Sequence, residues 1–179
     1  MTSMHVARPP AVRIGLISDT HGLLRPEAVA ALRGSDMIVH AGDIGDGSIL
    51  ERLSAIAPVC AVRGNNDVGP PASALPQTRR LDAGGKSIFV IHDLAELAIE
   101  PLAADIDVIV SGHSHKPKSG RRDGVLYINP GSAGPRRFRL PISVGRLTIA
   151  DGRIEAELVP LDVAVAPAAV RHAAGRQRR

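Results

Sequence analysis

Val12-Arg13-Ile14-Gly15-Leu16-Ile17-Ser18-Asp19-Thr20-His21-Gly22 carries a short apolar run directly into an aspartate and a histidine. Its β-branched content and length read as a strand. The same event recurs along the chain. Met37-Ile38-Val39 is followed by His40-Ala41-Gly42-Asp43, and Val59 to Val62 by Arg63-Gly64-Asn65-Asn66-Asp67. Ile88 to Ile91 runs into His92-Asp93, and Val108 to Val110 into Ser111-Gly112-His113-Ser114-His115. Polar residues at the C-terminal ends of five strands would share one rim, the side of an α/β sheet where ligands bind.

Helical patterns separate the first strands. Pro26 opens a helix that runs through Leu32, and Gly34 closes it. Ile49, Leu50, Leu53 and Ile56 line one face of a second helix, which must end before Pro58. The alternation predicts an α/β domain with a largely parallel sheet. Val125 to Ile128 adds a strand, and Ile142 to Ile149 and Arg153 to Val159 flank Asp151-Gly152, a two-residue hairpin signal. The expected organisation is a tail over residues 1–11, one domain over 12–160 and a basic tail over 161–179.

A chain of 179 residues suffices for one sizeable core and not for two typical domains. The formal charge of +4 resides in Arg171, Arg176, Arg178 and Arg179, so the rest of the chain is formally neutral. With aromatics at 2%, that body also lacks the stacking platforms of single-strand binders, which argues against a nucleic-acid partner. No apolar run reaches membrane-spanning length and the N-terminus lacks the apolar stretch of a secretory signal, so no membrane partner and a cytoplasmic address are expected. The single cysteine, Cys60, excludes an internal disulfide and reads as core filler. Nothing in the sequence marks an oligomer.

Asp19, His21, Asp43, Asn65, His92, His113 and His115 offer oxygen and imidazole donors and no thiolate. Such a set suits Mn, Fe, Zn or Ni, with Mn²⁺ preferred here. Seven side chains exceed one tetrahedral ion and fit two divalent ions about 3.5–4 Å apart that share a carboxylate. In extended backbone, His113 and His115 would point the same way about 6.5–7 Å apart, each facing a different ion. Taken singly, a histidine after a strand is usually structural and a Gly-Asp pair a turn; the joint pattern points to a metal site. His40 is read as structural, and His5 and His172 as tail residues. Asn129-Pro130-Gly131-Ser132 reads as a turn lining the site. Arg63, Arg136, Arg137 and Arg139 divide evenly between substrate-phosphate contacts and a solvated face.

DTHG, GD, GNND, the post-strand His92, GHSH and NPGS, in that order, resemble the motif series of the calcineurin-like metallophosphoesterase superfamily, and most closely its small stand-alone phosphodiesterase branch of bacteria and archaea. The resemblance covers about residues 12 to 160. It implies a four-layer α/β/β/α sandwich of two mixed sheets flanked by helices. It also implies a first metal on Asp19, His21 and His115, a second on Asn65, His92 and His113, and Asp43 bridging both. The implied reaction is attack of a metal-bridging hydroxide on phosphorus in line, on a small phosphoester. Asp43 and Asn65 serve that reaction as ligands, and Asp67 as a group orienting its loop or a histidine.

Two departures bear on the reading. Many members of the superfamily carry a histidine after the ligand Asn, where it protonates the leaving group; here Asn66 stands there, which favours phosphodiesters over phosphomonoesters. Ile91-His92-Asp93 replaces the branch's common His-Gly-His, and Asp93 with Glu96 reads as a capping box at the start of a short helix. The alternatives are a phosphomonoesterase on the same site and a non-catalytic interaction module like the retromer scaffold subunit. Specificity would reside in the loops Val68 to Thr78 and Pro135 to Pro141.

Overall fold

The computed structural model describes residues 11–137 and 139–163, so the readings of His5, His172 and the arginine-rich tail lie outside the described residues. Among the described residues, ten strands and two short α-helices run in the order β1 (Val12–Ile17), α1 (Pro26–Leu32), β2 (Met37–His40), α2 (Ser48–Ser54), β3 (Val59–Ala61), β4 (Thr78–Ala83), β5 (Lys86–Ile91), β6 (Val108–Val110), β7 (Lys118–Arg122), β8 (Val125–Asn129), β9 (Ser143–Ala150) and β10 (Arg153–Pro160). They form two five-stranded sheets, ordered β10-β9-β1-β2-β3 and β4-β5-β6-β8-β7.

Strand periodicity explains the sandwich. Ile14 and Leu16 of β1, Val39 of β2, Ile88 and Val90 of β5, Val108 and Val110 of β6, Leu126 and Ile128 of β8, and Leu147 and Ile149 of β9 all face one buried layer between the sheets. The alternate residues face outward and are covered as well. Ile17, Ile38 and Ala61 pack under Ala28 and Leu32 of α1 and Ile49 and Leu53 of α2. On the second sheet, Phe89, Ile91, Ile109, Val125 and Tyr127 pack against Leu97, Ile99, Ala104 and Ile106. Strands apolar on both faces follow from this double coverage.

The sheets differ from the largely parallel arrangement read from the sequence. Each holds one parallel trio, β1-β2-β3 and β5-β6-β8, extended by antiparallel strands. The outermost layer over the second sheet is a segment of turns with a single 3₁₀ turn at Leu94–Glu96, not an α-helix. Leu97 and Ile99 sit two residues apart, a spacing no helix face provides, and Pro101 follows. Strands β4 and β7 escaped the sequence reading. They are edge strands rich in Arg and Lys, and β7 is exposed throughout, so no apolar alternation marks them. Their two-residue turns do: Gly84-Gly85 and Asp123-Gly124, like Asp151-Gly152, take positive φ at both positions, as a type I′ hairpin demands.

The parallel trios matter for the rim because the chain leaves all six strands at one end. Backbone pairing continues past the strand ends, with Asp19 N–H donating to Gly42 O, His21 N–H to Asp43 O and Gly112 N–H to His92 O. His40 ties these loops from beneath. It is fully buried; its Nε2 lies 3.0 Å from Thr20 Oγ1, which itself donates to Ile44 O, so Nε2–H is the donor. Gly42 N–H donates to His40 Nδ1 at 3.2 Å. Only the neutral ring satisfies both contacts, and burial lowers the His40 pKa to about 4.

Because the folded ring resists the proton that the unfolded chain accepts, this group's stabilisation is complete above about pH 6.5, declines as pH falls, and is gone below about 4. The loss amounts to roughly 3 kcal/mol. Urea unfolding of metal-free protein between pH 7 and 4 should therefore give a steeper stability decline for the wild type than for His40→Gln.

Candidate metal centre

Each site residue emerges where a strand of a parallel trio turns. Asp19 and His21 follow β1, Asp43 follows β2, Asn65 and Asp67 follow β3, His92 follows β5, and His113 and His115 follow β6. Five of them, Asp19, His21, Asp43, His113 and His115, have φ between 44° and 64°. That left-handed backbone is uncommon for residues other than glycine, and clusters of such residues mark functional sites. Gly64 and Gly112 permit the loops to close: a Cβ on Gly64 would overlap the Asp43 side chain, and one on Gly112 the Ser18 hydroxyl.

Two donor sets result. In the first, Asp19, His21 and His115 place one donor atom each within 4.8 Å of one another. His115 Nε2 lies 3.2 Å from Asp19 Oδ1, His21 Nε2 4.0 Å from the same oxygen, and the two rings stack. In the second, Asn65 Oδ1 lies 3.1 Å from both His92 Nε2 and His113 Nδ1. Asp43 stands between them, its Oδ2 3.7 Å from His21 Nε2 and 3.4 Å from His92 Nε2. The structure thus brings all seven expected donors to one rim. The path differs for His113 and His115: the backbone at both is left-handed, not extended, and the bend between them turns one ring to Asn65 and the other to Asp19.

The donor set fits divalent ions on a direct observation. Both oxygens of Asp19, which is wholly buried, and Nδ1 of His115 have no hydrogen-bond partner among the described residues. Buried charges of this kind are paired or coordinate metals. Asp43 differs. Burial pushes its carboxyl upward, but hydrogen bonds from His92 and from the Asn66 backbone and side chain outweigh burial and hold it well below the usual carboxylate range. The Asn66 amide donates to Asp43 Oδ2 at 2.6 Å and its backbone N–H to Oδ1 at 2.8 Å. Burial lowers the His21 pKa against the pull of Asp43 and Asp19, whereas His92 overcomes burial through Asp43 and the Ala41 carbonyl and is raised.

Asp67 does not face the donor sets. Its Oδ1 accepts from the Ile44 and Gly45 N–H groups and its Oδ2 from Gly64 N–H, which staples the loop after β2 to the loop after β3. Asn129 Nδ2 donates to Gly112 O and Ser114 Oγ, and Ser132 Oγ to Asp19 O, so the turn after β8 braces two ligand loops at once. Arg137 reaches the cluster, 3.5 Å from His21 Nε2; Arg63, which donates to Ser73 O, lines the cavity beside the second donor set, and Arg136 donates to Leu140 O. The sequence reading missed Thr20 as a loop tie and Asn66 as the partner of Asp43. A polar residue directly beside a candidate ligand was the available signal for both, Thr20 after Asp19 and Asn66 after Asn65. A cavity of about 550 Å³ opens beside Asn65, His92 and His113, with Arg63, Gln77, Asp93 and Glu96 on its walls.

The calcineurin-like phosphoesterase superfamily domain profile matches residues 12–152. A probable metallophosphoesterase of Methanocaldococcus jannaschii is 36% identical over 163 residues, covering 83% of this chain and 81% of that relative. Phosphodiesterase YfcE of Escherichia coli is 27% identical over 166 residues, covering 76% and 87%. Vacuolar Protein Sorting 29 of Cryptosporidium parvum has a similar structure, with a TM-score of 0.68 at 19% identity over 82% of this chain and 96% of its own, a likeness of fold alone. The match across the sandwich, and across every strand end that carries a donor, leaves one conclusion: the chain belongs to the calcineurin-like phosphoesterase superfamily.

Proposed function

We propose that this member hydrolyses phosphodiesters with two divalent ions, one held by Asp19, His21 and His115, the other by Asn65, His92 and His113, with Asp43 shared. The observation that carries the reading is the position of Asp43 Oδ2, 3.7 Å from His21 on one side and 3.4 Å from His92 on the other. Bound ions supply a water acidic enough to act as a nucleophile near neutral pH and positive charge for the phosphoryl oxygens. Mn²⁺ is the ion we assign, since oxygen and imidazole donors without thiolate suit it.

The chain's own groups divide the remaining work. Asn66 donates to both Asp43 oxygens and keeps that carboxylate ionised and oriented. The hydroxyls flanking Asp19 are committed elsewhere, Ser18 to Gly42 O and Thr20 to Ile44 O, so neither is free as a nucleophile and the phosphoryl group passes directly to water. No titratable side chain stands at position 66 to protonate the departing oxygen. The site therefore suits esters whose leaving group departs without a proton, and the cavity beside His92 and His113 gives the second ester arm room. The phosphodiesterase YfcE among the relatives supports the same substrate class.

Metal-free protein should not cleave an activated aryl phosphodiester, and Mn²⁺ should restore turnover; equal rates with and without metal would overturn the reading. His113→Ala and Asp43→Asn should each lower kcat/KM by at least roughly 100-fold, because even the outer partners of metal ligands are worth 10–100-fold. Across aryl diesters of rising leaving-group pKa, the rate should fall steeply.

Ligand histidines must shed their protons to bind metal. With the His92 pKa raised above the ordinary imidazole value by Asp43 and the Ala41 carbonyl against burial, a proton competes with the ion for its ring. Calorimetric titration with Mn²⁺ should show affinity rising from pH 6 to 8 and proton release that is larger at the lower pH. A flat profile would remove His92 from the ligand set.

A further inference from the structure

His113 stands apart from the other candidate histidine ligands in how it is held. The side chains of His21, His92 and His115 are 15%, 5% and 7% exposed, whereas that of His113 is 46% exposed. Packing fixes the first three; His92 is further fixed by the Ala41 carbonyl, 2.7 Å from its Nδ1. The His113 ring meets the edge-on ring of His92 but is otherwise open to solvent, and an exposed ligand that must be ordered anew at each binding event weakens the site.

One group faces the free side of that ring. His113 Nδ1 points to Asn65 Oδ1, and its Nε2 lies 3.6 Å from Asp93 Oδ2. The other oxygen of Asp93 accepts the Ala95 N–H at 2.9 Å and caps the 3₁₀ turn at Leu94–Glu96. The carboxylate is thus anchored by its own cap, with the remaining oxygen presented to the imidazole. If Nδ1 meets the metal, the ring proton resides on Nε2, and among the described residues Asp93 is the acceptor placed for it.

We propose that Asp93 is a positioning residue of the second metal subsite, holding the His113 ring so that Nδ1 faces the donor set it shares with Asn65 and His92. The inference rests on the reading of His113 as a ligand. Asp93 substitutes for packing at the most exposed histidine donor and couples the 3₁₀ turn over the second sheet to the metal rim. Partners that orient a ligating histidine in this way are worth 10–100-fold in metal affinity.

Asparagine preserves the cap, because its side-chain oxygen still accepts the Ala95 N–H, but it turns an amide donor toward Nε2. Serine also caps and leaves Nε2 of the ring without its carboxylate. Calorimetric titration of the full chain with Mn²⁺, joined to electron paramagnetic resonance of the coupled ion pair, separates the roles. Asp93→Asn and Asp93→Ser should keep the wild-type melting temperature and one wild-type binding event while weakening the other 10–100-fold, with the coupled-pair signal appearing only at correspondingly higher Mn²⁺. Wild-type affinity for both ions in both variants, with His113→Ala still losing one ion, overturns the role of Asp93 and leaves the ligand reading standing. Two wild-type binding events in His113→Ala overturn both.

Discussion

A wholly buried carboxylate with neither oxygen hydrogen-bonded is the constraint on which the rest of this rim turns. Asp19 sits at the end of a central strand, beneath two imidazoles and within 4.8 Å of the donor atoms of Asp43 and His92. An ionised carboxylate removed from water without partners costs several kcal/mol, and a second carboxylate nearby raises that cost. Asp43 escapes by taking two donors from Asn66. Asp19 has no such donors, and a divalent cation is the species that reconciles its burial with its charge. The histidines arranged around it are the neutral ligands such an ion takes.

Holding those groups in place strains the backbone. Asp and His tolerate left-handed conformations better than most residues, yet each still costs of order 1–3 kcal/mol. Five occur within this one rim. They persist because the loops are pinned from several directions: by backbone pairing carried past the strand ends, by Asp67 across two loops, by His40 and Thr20 from below, and by Asn129 and Ser132 from the second sheet. The two sheets are thereby joined at the site as well as through the core, which places the strained turns where the surrounding structure over-determines them.

Residue chemistry made much of this legible in the sequence. Strand-length apolar runs ending in Asp, Asn or His placed the donors of both sets on one rim without reference to how the sheets are divided. Pairing was less accessible. Nothing in Val12 to Ile17 distinguishes a strand flanked by two parallel neighbours from one flanked, as here, by β2 in parallel and β9 antiparallel. Edge strands β4 and β7 are largely open to water, β7 along its whole length, so selection there favours charge over alternation, and their glycine-bearing turns betray them. The backbone of His113 and His115 was misread as extended because side-chain identity carries no sign of φ. Asp93 presented a cap in the sequence; its second oxygen acquires meaning only when β6 brings His113 beside it.

The sandwich alone says little about activity, since one fold hosts many functions. What marks this metal-dependent phosphoesterase is chemical: the buried Asp19 carboxylate, with no hydrogen bond to either oxygen among the described residues, calls for a cation. On the reading proposed above, the choice between esters then reduces to Asn66. A histidine there could donate a proton to a poor leaving group, and asparagine cannot. In exchange, the Asn66 amide reaches Asp43 at 2.6 Å, so the position that elsewhere serves the departing oxygen here serves the shared carboxylate. On that reading, ester selectivity and metal geometry meet at a single side chain.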